Sequence, residues 1–221
     1  MKLLFRSLVK YIVGIAMLGA MLFLPAGTFH YPNGWLFILL LSVPMLLMGV
    51  VMLFKAPKLL ERRLDNKEKM GSQRFVVLCF ALIFLGVFVG SALDFRFGWS
   101  DVPLPVVIVA SVLFLAGYAL YAEVSRENAY LSRTVEVQEG QKVIDTGLYG
   151  IVRHPMYFAT LFMFLPLPLV LGSFWGLIPV AFYVPVIVFR LLDEEKFLTS
   201  TLESYTDYQK KVKYRLIPFV F

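Results

Sequence analysis

The chain has 221 residues, is 59% hydrophobic and only 16% charged, and carries a formal charge of +6 with a mean hydropathy of +0.77. Soluble domains average about 45–50% apolar and about 25% charged residues, so this chain has more apolar surface than a water-soluble core can hide. Disorder, a collagen-like repeat and a disulfide scaffold are excluded as well, since the chain is hydrophobic, shows no glycine period and holds one cysteine, Cys79, inside an apolar run.

The expected fold class is therefore all-α integral membrane, with about six transmembrane helices. A span needs about 20 mainly apolar residues. Six segments qualify or nearly do: 11–29, 35–54, 75–93, 102–122, 156–171 and 174–192. The first has a basic lead-in of Lys2, Arg6 and Lys10. A cleaved leader is the alternative reading, against which stands the poor cleavage site at Pro25-Ala26-Gly27. His30 falls in a turn-like link, Tyr31-Pro32-Asn33-Gly34, and reads as a loop residue. Pro103 and Pro105 open the fourth segment, where proline is tolerated. The fifth segment is short and carries Pro166 and Pro168, and Gly172-Ser173 separates it from the sixth. That pattern predicts a tight helical hairpin.

Basic residues collect on one side. Twenty of the 21 lie before the first span, between spans two and three, between four and five, or from Arg190 onward; Arg96 is the exception. The positive-inside rule then places both termini and both long loops in the cytoplasm. The same rule explains the net charge without a nucleic-acid partner. Two units are expected within one membrane domain: four N-terminal spans over residues 1–122, and a core over 123–221 made of a cytoplasmic loop, the hairpin and a C-terminal segment. Oligomeric state leaves no trace in the sequence.

The loop 135–144 alternates polar and apolar residues around Glu139-Gly140, as extended strands or a turn would. Gly147 and Gly150 follow and permit close backbone approach. In Arg153-His154-Pro155-Met156-Tyr157 a loop meets a span. Pro155 suits a first helical turn, whose free amides favour a polar or anionic group. An interfacial Arg-His anchor pair is the competing reading of Arg153 and His154. Arg190 and Glu194 are four apart and share a helix face. They read either as a membrane-boundary ion pair or, because Arg190 lies one turn inside an apolar run, as a functional charge with a partner. After Asp193, residues Leu198, Leu202, Tyr205, Tyr208 and Val212 mark one apolar face among charges. This predicts an interfacial helix, or a lid over a cytoplasm-facing pocket. The sequence carries no metal-ligand cluster, no Walker loop and no Ser-His-Asp set.

Taken together, Gly147-Leu-Tyr149-Gly-Ile-Val-Arg153-His154-Pro155-Met-Tyr157, the hairpin, Arg190-x-x-x-Glu194-Glu195, then Leu198, Tyr205, Tyr208 and the run Arg215 to Phe219 resemble the isoprenylcysteine carboxyl methyltransferase family, whose wider relatives include phospholipid N-methyltransferases. The resemblance covers about residues 130 to 221. It departs at Ala159, where the family commonly has glycine.

The resemblance implies a membrane methyltransferase whose cofactor is S-adenosyl-L-methionine and whose partner is a lipid or lipidated substrate from the bilayer. It implies cofactor contacts at Gln138, Gln141, Lys142, Val143, Ile144, Tyr149, His154, Pro155, Met156, Tyr157 and Glu194. Arg190 would be the catalytic residue that holds the acceptor. A carboxylate acceptor needs no general base, whereas an amine would need one, for which Glu195 is the nearest candidate. Three rivals remain: lipid amine N-methylation, a nicotinamide-dependent membrane reductase on a similar C-terminal half, and a non-catalytic protein that keeps the scaffold.

Overall fold

A computed structural model describes residues 2–64, 71–131, 137 and 140–221. Among these residues the regular structure is helical. Four long helices come first: α1 (Lys2–Ala26), α2 (Pro32–Lys55), α4 (Gly71–Phe97) and α5 (Leu104–Glu127), with a short α3 (Pro57–Leu64) between the second and third. All four are long and apolar enough to cross a membrane. They point large apolar side chains outward, including Leu24, Phe54, Phe75 and Leu104, as well as inward. Such a surface suits hydrocarbon surroundings rather than water.

The expected fifth and sixth spans are not continuous helices. Residues 156–171 form α6 (Pro155–Phe164) and α7 (Leu167–Val170); residues 174–192 fall in α8 (Leu177–Ala181) and the start of α9 (Tyr183–Thr201). The cause lies in Pro166, Pro168 and Pro179, which lack the amide a helix interior requires. Gly172 takes the turn at φ +75°. The expected hairpin is thus present, built from short pieces. A last helix, α10 (Tyr205–Lys211), follows a break at Leu202.

Leu22, Phe37, Val87, Phe114, Leu167, Ile187 and Leu191 form the main core between the long helices and the hairpin. Helix α5 lies against α6 at very short range. A Cβ at Gly117 would fall 2.7 Å from Met163 Cγ and 2.9 Å from the carbonyl oxygen of Ala159. Ala159 is itself fully buried.

At the end of the bundle marked by the hairpin turn, Ser173 and Ser100 both donate to Asp94 Oδ2, Ser100 at 2.7 Å. Ser173 Oγ in turn accepts the amide of Gly176 at 3.0 Å. Asp94 and Ser173 are fully buried. Removing the acceptor strands two hydroxyls, so Asp94→Ala is expected to cost about 1–3 kcal/mol. Thermal unfolding in detergent checks this; an unchanged midpoint would show that the turn holds without its carboxylate.

Candidate functional site

Arg153 and His154 precede α6, and Pro155 opens it. Their backbone amides do not wait for a ligand. Arg153 N–H donates to the carbonyl of Tyr214 at 2.9 Å, and His154 N–H to that of Arg215 at 2.8 Å. The last segment of the chain therefore runs alongside the start of α6. The Arg153 guanidinium fastens it further, with Nη1 donating to the carbonyls of Val212 (2.8 Å) and Lys213 (3.0 Å).

Glu195 of α9 is the centre of this arrangement. Its Oε1 accepts from Arg153 Nε at 2.6 Å and lies 3.3 Å from His154 Nε2; its Oε2 accepts from Arg215 Nε at 2.9 Å. A carboxylate oxygen only accepts, so His154 Nε2 carries the proton here. Burial pushes the Glu195 carboxyl up, but hydrogen bonds from His154, Arg153 and Arg215 outweigh it and hold the group down at about 2. The three partners lie 42, 41 and 20 residues away in the chain. Glu195 thus joins the hairpin, α9 and the last segment. This placement corrects the reading of Glu195 as a proton acceptor: a carboxylate held by three basic groups is a poor base.

One turn away the chemistry changes. Arg190 Nε donates to the hydroxyl of Tyr157 at 3.0 Å, and that hydroxyl donates to Glu194 Oε2. Tyr157 comes from α6, Arg190 and Glu194 from α9. Tyr157 is 4% exposed and Arg190 8%. The ring of His154 stacks beside that of Tyr157, 5.5 Å between centroids.

The loop before α6 forms the facing wall. Residues Gly147–Gly150 make one 3-10 turn. Gly147 has φ +50°, and a Cβ there would fall 1.5 Å from Glu127 Oε1. The positive φ favours glycine, and a side chain here would also displace Glu127, whose Oε2 accepts the amide of Leu148 at 3.1 Å. The turn presents Tyr149, whose hydroxyl accepts from Asn128 Nδ2 (2.9 Å) and whose carbonyl accepts from the Tyr208 hydroxyl (2.7 Å). Helix α10 thus packs over the loop. Tyr205, Tyr208 and Val212 form a small core with Val143, Leu198 and Leu202.

These pieces line a cavity of about 110 Å³ that opens to solvent on one side. Gln141, Lys142, Val143, Ile144, Tyr149, His154, Pro155, Met156, Tyr157, Arg190 and Glu194 all line it. Gln138 lies outside the described residues. Asn128, Tyr130 and Leu131, just beyond α5, also line the cavity and were not singled out from the sequence. The expected apolar face Leu198 to Val212 is kept, but across two helices rather than one. Residue Gly140 forms a turn at φ +70°, and no strand occurs among the described residues on either side of it.

Comparison with known proteins points two ways. Residues 105–204 match the family model described as phospholipid methyltransferase, which belongs with the isoprenylcysteine carboxyl methyltransferases in one superfamily of membrane enzymes. The chain also aligns with proteins named Delta(14)-sterol reductase. That of Mus musculus is 27% identical over 132 residues, 53% of this chain and 32% of that protein. That of Methylotuvimicrobium alcaliphilum is 26% identical over 142 residues, 55% and 32%. That of Arabidopsis thaliana is 24% identical over 135 residues, 55% and 36%. The alignments thus span about a third of the length of these curated relatives.

Proposed function

We propose that this chain is an integral membrane methyltransferase that uses S-adenosyl-L-methionine and acts on a lipid-borne acceptor, the carboxylate of an isoprenylcysteine-like lipid. The observation that carries the reading is the pairing of Glu194 and Arg190, one acid and one base, through Tyr157 in the wall of a single cavity. The match to the phospholipid methyltransferase family supports the same class of reaction.

The donor set fits the cofactor. Glu194 suits an ammonium group. The Tyr149, Tyr205 and Tyr208 side chains suit a sulfonium and an adenine ring, and the backbone of 141–144 offers edge hydrogen bonds. When bound, the cofactor supplies an electrophilic methyl group.

Every other task falls to the chain. Arg190 orients a carboxylate with its two-pronged guanidinium. A carboxylate is ionised at neutral pH, so no proton has to be removed from it. An amine acceptor would need a base, and Glu195 is committed to Arg153, His154 and Arg215. That commitment favours the acid over the amine. The buried setting of Tyr157 and Arg190 keeps water from the reacting group, and holding both reactants in line is worth about 7–11 kcal/mol at best.

The sterol reductase relatives favour a second reading, a reductase using a nicotinamide cofactor. Calorimetry on the purified chain in detergent separates the two. S-adenosylhomocysteine is expected to bind, His154→Ala to weaken it, and NADPH to give no heat. Binding of NADPH with no binding of S-adenosylhomocysteine would overturn the methyltransferase. Transfer of labelled methyl to total membranes, with the product identified by mass, then tests the acceptor.

A further inference from the structure

Tyr205 and Tyr208 lie one turn apart on α10, belong to the same small core and are equally buried, at 4% and 5% exposed. Their hydroxyls differ. That of Tyr208 donates to the carbonyl of Tyr149 at 2.7 Å, whereas that of Tyr205 is buried with no hydrogen-bond partner. An unsatisfied buried hydroxyl costs stability, and phenylalanine would fill the same core without that cost. Both tyrosines line the cavity, as do Glu194, Arg153 and His154. Burial, and after it the charges of Glu195 and Glu194, push the ionisation of the Tyr205 hydroxyl up. The group therefore keeps its proton and stands in the field of both carboxylates as a neutral donor.

We propose that the Tyr205 hydroxyl is a specificity contact of the cavity: it donates to the carboxylate at the amino acid end of S-adenosyl-L-methionine, beside the ammonium received by Glu194. The proposal rests on the methyltransferase reading of the cavity. The ammonium and the carboxylate of an amino acid share one carbon, so a ligand whose ammonium meets Glu194 brings its carboxylate to the same corner. Glu194 and Glu195 already charge that corner negatively, and a further anion needs a donor there. The donors at the start of α6 are taken. The amides of Arg153 and His154 give to the carbonyls of Tyr214 and Arg215, and Arg153 Nε, His154 Nε2 and Arg215 Nε all face Glu195. The proton of the Tyr205 hydroxyl is uncommitted. A neutral donor also suits the place, because it holds a carboxylate without competing with the ammonium for Glu194. The unsatisfied hydroxyl is thus kept for selectivity, the preference for an intact amino acid end over an amine that lacks the carboxylate.

The test uses the full chain in detergent micelles and two probes, S-adenosylhomocysteine and its decarboxylated form, which keeps the ammonium and the adenosine. Calorimetry gives both dissociation constants for the wild type and for Tyr205→Phe, and their ratio is the readout. The wild type is expected to prefer S-adenosylhomocysteine. Tyr205→Phe is expected to cut that preference by about tenfold or more, the worth of one hydrogen bond to a charged group. Any change in ring packing weakens both probes alike and cancels in the ratio. Circular dichroism melts without ligand supply the second measurement. Tyr205→Phe is expected to melt at or above the wild-type midpoint, because the lost hydroxyl had no partner in the protein.

An undiminished preference in Tyr205→Phe overturns the proposal, as does a wild type that binds both probes equally; in either case S-adenosylhomocysteine binds and the methyltransferase reading stands. A clear drop in the unliganded melting point of Tyr205→Phe also overturns it, since the hydroxyl would then serve the fold. Failure of the wild type to bind S-adenosylhomocysteine sinks the proposal and the methyltransferase reading together.

Discussion

Arg190→Ala abolishes methyl transfer while leaving the affinity for S-adenosylhomocysteine nearly unchanged. This is the expected result because Tyr157 still donates to Glu194 when the guanidinium is gone, so the ammonium site survives. What disappears is the fork proposed to hold the acceptor. Arg190→Lys rescues poorly, since an ammonium is a single point of charge and cannot grip two oxygens at once. Glu194→Gln behaves in the opposite way. It removes one charge-assisted bond to the cofactor, which costs about 1.5–3 kcal/mol, or roughly 10- to 150-fold in dissociation constant. Cofactor titration and turnover on the same three variants check the pair. Equal loss of cofactor binding in Arg190→Ala and Glu194→Gln would show that the two residues serve one ligand and that their division of labour is wrong.

Glu195→Gln is expected to have the largest effect on stability. The substitution leaves Arg153 and His154 buried beside a neutral amide, with Arg215 adrift. Breaking a buried pair by neutralising one partner costs about 3–5 kcal/mol, because the charge that remains has lost its solvent and its counterion. Release of the last segment should appear as trypsin cleavage at Lys211, Lys213 or Arg215 under conditions where the wild type resists. A wild-type melting point in Glu195→Gln would show that the backbone hydrogen bonds of residues 212–215 suffice. The pH dependence has a definite sign. The folded carboxyl titrates at about 2 and its ordinary value is 4.5. A folded value below the unfolded one gives stabilisation that is complete above about 4.5 and is lost as the pH falls from there toward 2. Wild type should therefore lose more stability over that interval than Glu195→Gln does.

Much of the fold was legible because its signals are local. Four apolar runs predict the four long helices, and Pro166, Pro168 and Gly172 predict where the hairpin turns. The short pieces inside the hairpin are harder, because proline marks a missing hydrogen bond but not how the chain absorbs the loss. The break at Leu202 is harder still, since the apolar spacing of Leu198, Leu202, Tyr205 and Tyr208 runs straight through it.

At the site, residues read from several separate stretches of the chain do meet in one cavity. Those that escaped notice, Asn128, Tyr130 and Leu131, have no motif and reach the wall because α5 happens to end there. The same holds for the role of Glu195. Nothing near it in sequence announces that its partners come from both sides, and its neighbour Glu194, one residue away, points into quite different company.

The near-contact of Gly117 with Ala159 governs traffic as well as packing. With the two backbones this close, no gap as wide as a methylene chain remains between α5 and α6 at that level. That seam is sealed against hydrocarbon. If the proposed acceptor has its head at Arg190, its lipid tail leaves the protein by some other face, and a bulky residue at position 117 would force apart a seam that the fold keeps closed.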